Sequence, residues 1–323
     1  MTVSLEDIRA AQMRITGKVT RTALQPSDDL SQRCGVPVYM KMEHHQPTGA
    51  FKLRGATNAV AMLGEDERRR GVVAASTGNH GRALAYAAGL EGIDATICMS
   101  QLVPHNKRDA IAKLGAQICI VGNSQDDAQT QAELLVAQQG MTMVPPFDDA
   151  GVIAGQGTIG LELIEDLPQL DTLLVQLSGG GLASGVAAAV KSLRPQVRVI
   201  GVSMARGAAM QASLTAGHPV QVREDETLAD SLGGGIGLAN RHTFAMCRDL
   251  LDGVILLSEE EIAAGIVHAY HEEREIVEGA GAVGIAALLA DKVVPRGPVA
   301  LILSGRNIDM DLHRRVICGE QLQ

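Results

Sequence analysis

Lys52 is the residue of this sequence that is best placed for covalent chemistry. It follows directly on two small residues and an aromatic one, in the order Gly49-Ala50-Phe51-Lys52, and Phe51 is one of only three phenylalanines in the chain. Most lysines at the start of a helix are solvated and need no such neighbours. A lysine that bonds covalently to a flat ring compound does need them, because small residues allow a close backbone approach and the aromatic ring flanks the compound. Lys52 is therefore a candidate nucleophile.

A glycine-rich turn at residues 178–185 offers a site for an anion. Ser178 is followed by Gly179, Gly180 and Gly181, and a helical pattern begins directly after them. Successive glycines leave backbone N–H groups unobstructed at the positive end of a helix, and this arrangement binds phosphate. A tight turn between a strand and a helix, without any ligand, accounts for the same residues equally well. The segment is not a Walker motif, and its spacing does not fit a dinucleotide fingerprint.

Two further turns carry polar groups that suit a ligand. Residues 76–80, Ser-Thr-Gly-Asn-His, begin a helical pattern, and their N–H groups and hydroxyls suit a carboxylate. Asn79 suits a phenolic oxygen, although such residues more often serve as helix caps. Ser304 follows an apolar run and either presents its hydroxyl to a ring nitrogen or is an ordinary turn residue. An amine nucleophile, a phosphate site, a carboxylate site and a ring-nitrogen partner are together the groups that pyridoxal phosphate requires.

The elements that must position these residues are short apolar strands that alternate with amphipathic helices. This alternation predicts parallel sheets with helices on both faces. In such sheets ligands bind beyond the carboxyl ends of the strands, where the three polar turns are expected to lie. We predict strands at residues 37–42, 71–76, 94–99, 116–121, 171–177, 196–202, 252–257 and 298–303.

The composition excludes several classes of protein. Lys and Arg number 28 against 37 Asp and Glu, and only 2% of the residues are aromatic, so a nucleic-acid partner is not expected. The sequence contains no run of about 18 apolar residues and no basic leader, so we expect neither a membrane span nor a signal peptide. The five cysteines form no CxxC pair, which argues against a disulfide framework or a structural zinc site. We expect a reduced, cytoplasmic enzyme that acts on a small molecule.

Several motifs resemble those of one enzyme family. Residues 41–56, KMEHHQPTGAFKLRGA, resemble the lysine segment of the serine/threonine dehydratases, which are pyridoxal-phosphate enzymes of fold type II and include serine racemase. The resemblance extends over nearly the whole chain, from Thr20 to Asp311. Further family motifs are matched in the same order at residues 76–88, 152–167, 178–185, 227–234, 278–284 and 304–309.

The resemblance implies a fold, a division into domains and an assembly. The fold would be α/β, with two open, twisted parallel sheets and helices on both faces, similar to the beta chain of tryptophan synthase. Residues 1–69 and 149–323 would form a large domain that binds pyridoxal phosphate, and residues 70–148 a small domain. A homo-oligomer, namely a dimer, is expected.

The resemblance also implies a role for each matched residue. Lys52 would hold the cofactor, pyridoxal 5′-phosphate, as a Schiff base, with Phe51 beside its ring. Besides these two, the residues expected to bind the cofactor are Asn79 at the phenolic oxygen, Ser304 at the pyridine nitrogen, Glu278, and the phosphate-binding residues Ser178, Gly179, Gly180, Gly181 and Leu182. Those expected to border the substrate carboxylate are Ser76, Thr77 and His80, and catalysis is assigned to Lys52, Ser76 and Thr77.

Some positions near the expected pocket depart from the family pattern. Arg82 stands where glutamine is usual, and Arg306 where glycine is usual. Two additional arginines suit a substrate with a second acidic group, such as 3-hydroxyaspartate, and Arg306 is therefore a candidate substrate ligand. The segments at 44–56 and 304–309 are also similar to dehydratases assigned to hydroxyectoine breakdown. The other departures are Ala50, Ser178, Ser231 and Gly279.

No metal site is expected. Ser203 occupies a place where the metal-binding members of the family carry an acidic residue, and Ala208 and Ala209 follow it. Magnesium and calcium ions prefer charged oxygen ligands, which these residues do not supply.

The interpretation that the sequence favours is a dehydratase, or ammonia-lyase, that acts on a 2-amino-3-hydroxy acid. The 3-hydroxyl group would leave as water after Lys52 has taken the Cα proton, and the products would be a 2-keto acid and ammonia. Racemisation of the serine racemase type is an alternative, with Thr77 in the place of a serine hydroxyl. A protein on the same fold that binds pyridoxal phosphate without catalysis is a third reading, and an intact Lys52 argues against it.

Overall fold

The computed structural model describes residues 2–103 and 105–320, which form ten strands and fourteen α-helices. The strands are β1 (Leu24–Ser27), β2 (Val38–Lys41), β3 (Val72–Ala75), β4 (Ala95–Met99), β5 (Gln117–Ile120), β6 (Thr142–Met143), β7 (Thr172–Gln176), β8 (Arg198–Met204), β9 (Gly253–Leu257) and β10 (Val299–Ile302). Seven of the eight predicted strands contain one of them, and the eighth, at residues 196–202, overlaps β8, which extends two residues further to Met204.

The helices lie between the strands, as the alternating pattern predicts. They are α1 (Leu5–Ile15), α2 (Asp28–Cys34), α3 (Lys52–Ala61), α4 (Glu65–Arg70), α5 (Asn79–Leu90), α6 (His105–Ala112), α7 (Gln125–Gln139), α8 (Ala150–Asp166), α9 (Gly181–Leu193), α10 (Ala209–Ala216), α11 (Thr243–Leu250), α12 (Glu259–His271), α13 (Gly279–Leu289) and α14 (Met310–Ile317). Short 3-10 turns are found at Glu43–His45 and Asp230–Leu232. Among the residues that the structure describes, no helix is both long enough and apolar enough to cross a membrane.

The strands form two separate sheets. The larger sheet has the order β1-β2-β10-β7-β8-β9, and the smaller one β5-β4-β3-β6. All neighbouring strands run parallel except β1, which pairs antiparallel with β2. The predicted α/β fold is confirmed, with this one antiparallel edge added. All strands of the smaller sheet lie between residues 70 and 148, although the division into domains at those residues stays a prediction.

Strands β1 and β6 are the two that the sequence does not reveal. The sequence of β1 is Leu-Gln-Pro-Ser, which is largely polar and contains Pro26. Because proline cannot donate to a sheet hydrogen bond, it is confined to positions such as an edge strand, and β1 is an edge. Strand β6 has only two residues, which is too short for any periodicity to be recognised.

The larger sheet is covered by helices on both faces. Along β7, Leu173 and Val175 pack into the apolar core that contains α9, whereas Leu174 packs into the core that contains α12 and α13. This alternation follows from the twofold period of a strand. Helices α8 and α9 approach so closely that a Cβ atom at Gly185 would collide with the carbonyl oxygen of Ile153.

A buried group of charges anchors helix α3 on the side chain of Arg54. The guanidinium donates to both carboxylate oxygens of Glu43, at 2.8 and 2.7 Å, and to both of Glu162, at 2.6 and 2.9 Å. Lys41 contacts the same Glu162 at 2.6 Å. All four side chains are buried. Since Lys52 begins the same helix, this group of charges fixes the element that presents the candidate nucleophile.

Candidate active site

The predicted site residues lie at the carboxyl ends of strands from both sheets. Residues 76–80 follow β3, residues 178–182 follow β7, and Ser304 follows β10. A β-bridge joins Ala50 to Gly305, and the backbone N–H of Phe51 donates to the carbonyl oxygen of Ser304 at 2.9 Å. The lysine segment and the Ser304 turn, about 250 residues apart in sequence, are therefore hydrogen-bonded neighbours.

Lys52 is the first residue of α3, and its amine lies in a dry environment. Its Nζ donates to the carbonyl oxygen of Pro146 at 2.6 Å and lies 5.3 Å from the centre of the Phe51 ring. Burial lowers the pKa of the Lys52 amine to about 8, and the carboxylate of Glu278 opposes this change. An amine with this pKa is a substantially better nucleophile and base at neutral pH than an ordinary lysine.

A chain of three hydrogen-bonded side chains connects the small sheet to the large one. Asn79 donates from Nδ2 to Oε1 of Glu278 at 2.7 Å, and its Oδ1 accepts from Nδ2 of Asn307 at 2.6 Å. The backbone N–H of Asn307 donates to Oε2 of Glu278 at 3.0 Å. Asn79 and Glu278, both predicted as cofactor ligands, are thus brought into direct contact.

Glu278 is a buried carboxylate whose pKa lies close to neutral pH. Burial raises its pKa to about 7, and the charge of Asp230 adds to this effect, whereas the hydrogen bond from Asn79 opposes it. A side chain at residue 305 would clash with the Glu278 carboxylate, since a Cβ atom on Gly305 would lie 2.6 Å from Oε1. The glycine after Ser304 is therefore required for Glu278 to reach its position.

The glycine-rich turn at residues 178–185, called the glycine loop below, packs against Phe147. This residue directly follows Pro146, whose carbonyl oxygen accepts from Lys52. A Cβ atom on Gly181 would lie 2.9 Å from the Phe147 backbone, and one on Gly179 would collide with the Phe147 ring. Gly180 has a φ of 91°, in the region that favours glycine, and provides no side-chain cap to α9. Close packing alone thus requires the glycines. The first N–H groups of α9 have no partner within the helix, and they suit an anion.

The residues of the turn at 76–80 differ in their burial and in their hydrogen-bond partners. Ser76 accepts the backbone N–H of Gly81 at 3.2 Å, which is a cap-like contact within the turn. His80 is buried, its Nε2 bonds the carbonyl of Val144 at 2.7 Å, and its Nδ1 has no hydrogen-bond partner among the described residues. Burial and the nearby Lys52 charge lower the pKa of His80 to about 4, so this imidazole is neutral at physiological pH.

The two arginines near the expected pocket differ in burial. Arg306 is exposed, and within the described part of the chain its side chain has no hydrogen bond or ion pair. Arg82 is half-buried, burial lowers its pKa, and the Glu278 carboxylate opposes this change. The structure therefore associates Arg82 with the central carboxylate and leaves Arg306 at the surface. Thr77 is half-buried in its turn, and Leu182 is buried in the first turn of α9.

Three residues of the site are not identified from the sequence. Asn307 contacts Asn79 and Glu278, and its position within the motif at 304–309 is the signal that could have revealed it. Pro146 and Phe147 contact Lys52 and the glycine loop, respectively. They lie just before the domain boundary predicted between residues 148 and 149, and no spacing rule in the sequence connects them to Lys52.

The comparisons with known proteins agree with this arrangement. Residues 15–305 match the family model described as "Pyridoxal-phosphate dependent enzyme". The chain belongs to this family. It is 62% identical over 318 residues to a putative threonine dehydratase of Sinorhizobium fredii, which covers 98% of this chain and 96% of that protein. It is 44% identical over 315 residues to the L-threonine ammonia-lyase of Thermotoga maritima, with 98% and 78% covered.

A solved structure supports the same relationship at the level of the fold. Maize serine racemase superposes on this pyridoxal-phosphate enzyme with a TM-score of 0.92 at 32% identity, and the superposition covers 99% of this chain and 98% of that one. The predictions of a fold-type II enzyme, of pyridoxal phosphate as cofactor and of a lyase are confirmed. The roles of the individual site residues stay predictions.

The residues of this pyridoxal-phosphate enzyme fit the cofactor. A single amine, Lys52, lies in a dry position beside an aromatic ring, which suits covalent attachment of an aldehyde. The start of α9 carries N–H groups without a side-chain cap, which suits a phosphate group. Ser304 is buried after β10 and supplies a neutral hydroxyl, which suits a ring nitrogen. This donor set matches the chemical groups of pyridoxal phosphate one by one.

Proposed function

We propose that the enzyme is a dehydratase, or ammonia-lyase, that converts a 2-amino-3-hydroxy acid of the serine and threonine class into a 2-keto acid and ammonia. The observation that carries this proposal is the state of Lys52, whose buried amine has a pKa of about 8 and a neutral carbonyl as its hydrogen-bond partner. The names of the curated relatives, threonine dehydratase and threonine ammonia-lyase, support the substrate class.

The side chains of this enzyme have separate tasks in that reaction. Pyridoxal phosphate, when bound, supplies the covalent site for the substrate amine and accepts the electrons of the Cα–H bond. Lys52 in its neutral form takes the Cα proton as general base. Loss of this proton and of the 3-hydroxyl group removes one molecule of water, and the unsaturated amine that results takes up water and releases ammonia. Ser304, which is neutral, favours this prompt elimination because it does not stabilise a positively charged ring.

A substrate with a second acidic group is the finer proposal. Arg82 carries a half-buried cation whose pKa is affected by the Glu278 carboxylate, and Arg306 adds an exposed cation in the turn after β10. Guanidinium groups bind carboxylates with two parallel hydrogen bonds, which suits a substrate such as 3-hydroxyaspartate. Of the two, Arg82 is the stronger candidate because its surroundings are drier and a charge pair there is screened less.

Racemisation of the same class of amino acid is the alternative. The close superposition on maize serine racemase supports this alternative at the level of the fold. Thr77 would supply the hydroxyl on the second face of the substrate. The half-buried position of Thr77 in the turn after β3 suits this role.

The test is a panel of substrates offered to the purified holoenzyme: L-threonine, L-serine, D-serine and the isomers of 3-hydroxyaspartate. Keto-acid formation and the chirality of the remaining amino acid are both measured. Rapid keto-acid formation with little change of chirality supports elimination. Inversion without keto acid would replace this proposal by racemisation, and neither product from any substrate would contradict both.

Two variants that restore the usual family residues test the finer substrate. If Arg82 pairs with a second carboxylate, Arg82→Gln should raise the activation free energy derived from kcat/KM by about 2–5 kcal/mol more for 3-hydroxyaspartate than for threonine. Arg306→Gly should change the same difference in activation free energy by at most about 1 kcal/mol, because an exposed ion pair is weak. Equal losses on threonine and 3-hydroxyaspartate would show that the arginines are structural.

The location, the assembly and the pathway of the enzyme are further proposals. We propose a cytoplasmic homodimer, in keeping with the absence of CxxC pairs and with a compact α/β enzyme of this family. The resemblance of residues 44–56 to dehydratases of hydroxyectoine breakdown supports an amino acid derived from hydroxyectoine as one substrate. Sedimentation of the purified protein tests the dimer, and addition of that amino acid to the panel tests the substrate.

A further inference from the structure

Three side chains that bind metals well meet next to the lysine segment. Nε2 of His44 lies 2.8 Å from Oε2 of Glu275, and Nε2 of His45 lies 2.9 Å from the same oxygen. The two imidazole rings have their centres 4.1 Å apart. Among the described residues, this is the one group of three His, Cys, Asp or Glu side chains whose ligand atoms all lie within 4.8 Å of one another.

We propose that His44, His45 and Glu275 form a binding site for a divalent transition-metal ion such as zinc or cobalt. Two imidazoles and one carboxylate are typical ligands of these borderline cations, whereas magnesium and calcium prefer sites made only of oxygen atoms. The prediction that no metal site exists rests on the residues around Ser203. The group of His44, His45 and Glu275 is not apparent in the sequence, because Glu275 is 230 residues away from His45.

The three ligand atoms require only a small movement to accept the ion. With bonds of 2.0–2.1 Å, neighbouring ligand atoms of a tetrahedral zinc site lie ~3.3 Å apart, which is slightly more than the observed distances of 2.8 and 2.9 Å. His44 is buried and holds its place, whereas the side chain of His45 is 39% exposed and can adjust. The exposed side of the site leaves the fourth position of the ion open to water or to a small ligand.

The backbone on both sides of the site holds the ligands in place. The N–H of His44 donates to the carbonyl oxygen of Leu303 at 2.8 Å, which connects the first ligand to the turn that carries Ser304. The N–H of Glu275 donates to the carbonyl oxygen of Ala269 at 2.8 Å. Arg274, directly before Glu275, has a φ of 60°, which is unusual for a residue other than glycine.

The ion would connect two segments that both lead into the catalytic region. His44 and His45 precede Lys52 by eight and seven residues, and Glu275 precedes Glu278 by three residues. A metal bound here would therefore fix the lysine segment to the segment of Glu278, in addition to the hydrogen bonds that already join them. Its role would be to stabilise the folded state rather than to act on the substrate.

The experiment measures binding of the metal alone to the holoenzyme, after treatment with a chelator and removal of the chelator. Cobalt ions are titrated while visible absorption is followed, and zinc is counted per chain by elemental analysis after desalting. We expect one ion per chain, an absorption spectrum typical of cobalt with nitrogen ligands, and a higher Tm with the metal than without it. None of these readouts depends on catalytic activity.

Two variants identify the ligands and two others serve as controls. His45→Ala and Glu275→Gln should each lower the affinity for the ion at least about tenfold, since even residues behind the ligands contribute this much. His218→Ala and His271→Ala remove exposed histidines elsewhere and should leave binding unchanged. A wild-type enzyme that binds no ion, or binding that is equal in the ligand variants and the controls, would show that the cluster is only a hydrogen-bonded trio and would overturn the proposal.

Discussion

Helix α3 carries two basic side chains, Lys52 and Arg54, whose surroundings differ. Arg54 is enclosed by the carboxylates of Glu43 and Glu162, with four hydrogen bonds between 2.6 and 2.9 Å. Lys52 donates instead to the neutral carbonyl of Pro146. Burial acts on both groups, but the pKa of Arg54 is raised because the two carboxylates outweigh burial, whereas the pKa of Lys52 falls to about 8.

This difference separates a structural cation from a reactive one. A buried charge with full hydrogen-bonded pairing is held in its charged form and contributes rigidity. A buried amine without a carboxylate in contact loses its proton easily and becomes a nucleophile and a base. Two positions of one helix thus provide an anchor and a reactive group, and the anchor fixes the direction in which the reactive group points.

The largest expected effect is that of Lys52→Ala. We expect the covalent bond to pyridoxal phosphate to be lost and turnover to fall by at least about 10²–10⁴-fold, the usual contribution of a general base. Steady-state rates of keto-acid formation measure the fall in turnover. Lys41→Ala is the control for the cofactor bond, since the fully buried amine of Lys41 pairs with Glu162. Normal activity of Lys52→Ala would remove the basis of the comparison.

Arg54→Leu is expected to affect stability rather than chemistry. Two buried carboxylates would lose their cation, which costs about 3–5 kcal/mol of the free energy of unfolding. Unfolding in urea, followed by circular dichroism, measures the change. The control is Arg21→Ala, because Arg21 pairs with Glu165 and Asp166 at the surface and should contribute at most about 1 kcal/mol. A loss below 1 kcal/mol for Arg54→Leu would mean that the buried group of charges is not an anchor.

The pH dependence of cofactor binding reports on the Lys52 amine directly. Only the neutral amine bonds the aldehyde, so the rate at which apoenzyme takes up pyridoxal phosphate should rise with pH, with its midpoint at about pH 8, the pKa of Lys52. The rate of the same reaction with free N-acetyl-lysine, the control, should have its midpoint at about pH 10.4. A midpoint near 10 for the apoenzyme would show that burial does not alter Lys52.

Glu278→Gln sharpens this measurement and has the smallest effect. Glu278 opposes the lowering of the Lys52 pKa, so its replacement by a neutral amide should move the midpoint of cofactor uptake to lower pH. The variant also removes a carboxyl group whose own pKa of about 7 falls in the same range. A midpoint that shifts upwards instead would contradict the stated electrostatics.

The sequence predicts most of the strands and the turns that carry the candidate site residues, for identifiable reasons. Strands such as β7 and β10 are short apolar runs between turn residues, and Lys52, Asn79 and Ser304 lie in motifs that keep their order along the chain. Position along a parallel sheet then places those turns at one edge. Local pattern and topology are therefore sufficient for these residues.

Contacts between distant segments are the part that the sequence does not reveal. No periodicity connects Pro146 to Lys52, Asn307 to Asn79, or Glu275 to the two histidines, since these pairs meet only in the tertiary structure. The same holds for the different burial of Arg82 and Arg306, which look equivalent in sequence. Each of these features depends on tertiary packing, and a single sequence carries no direct record of it.

The most direct test of the central claim is to locate the cofactor on the chain. The holoenzyme is reduced with borohydride, digested, and the peptide that carries the phosphopyridoxyl group is identified by mass spectrometry. The account predicts one labelled residue, Lys52, and no label on Lys41, which is fully buried but paired with a carboxylate. A label on Lys41 or on an exposed lysine, with Lys52 unmodified, would contradict the assignment of the unpaired buried amine as the reactive group.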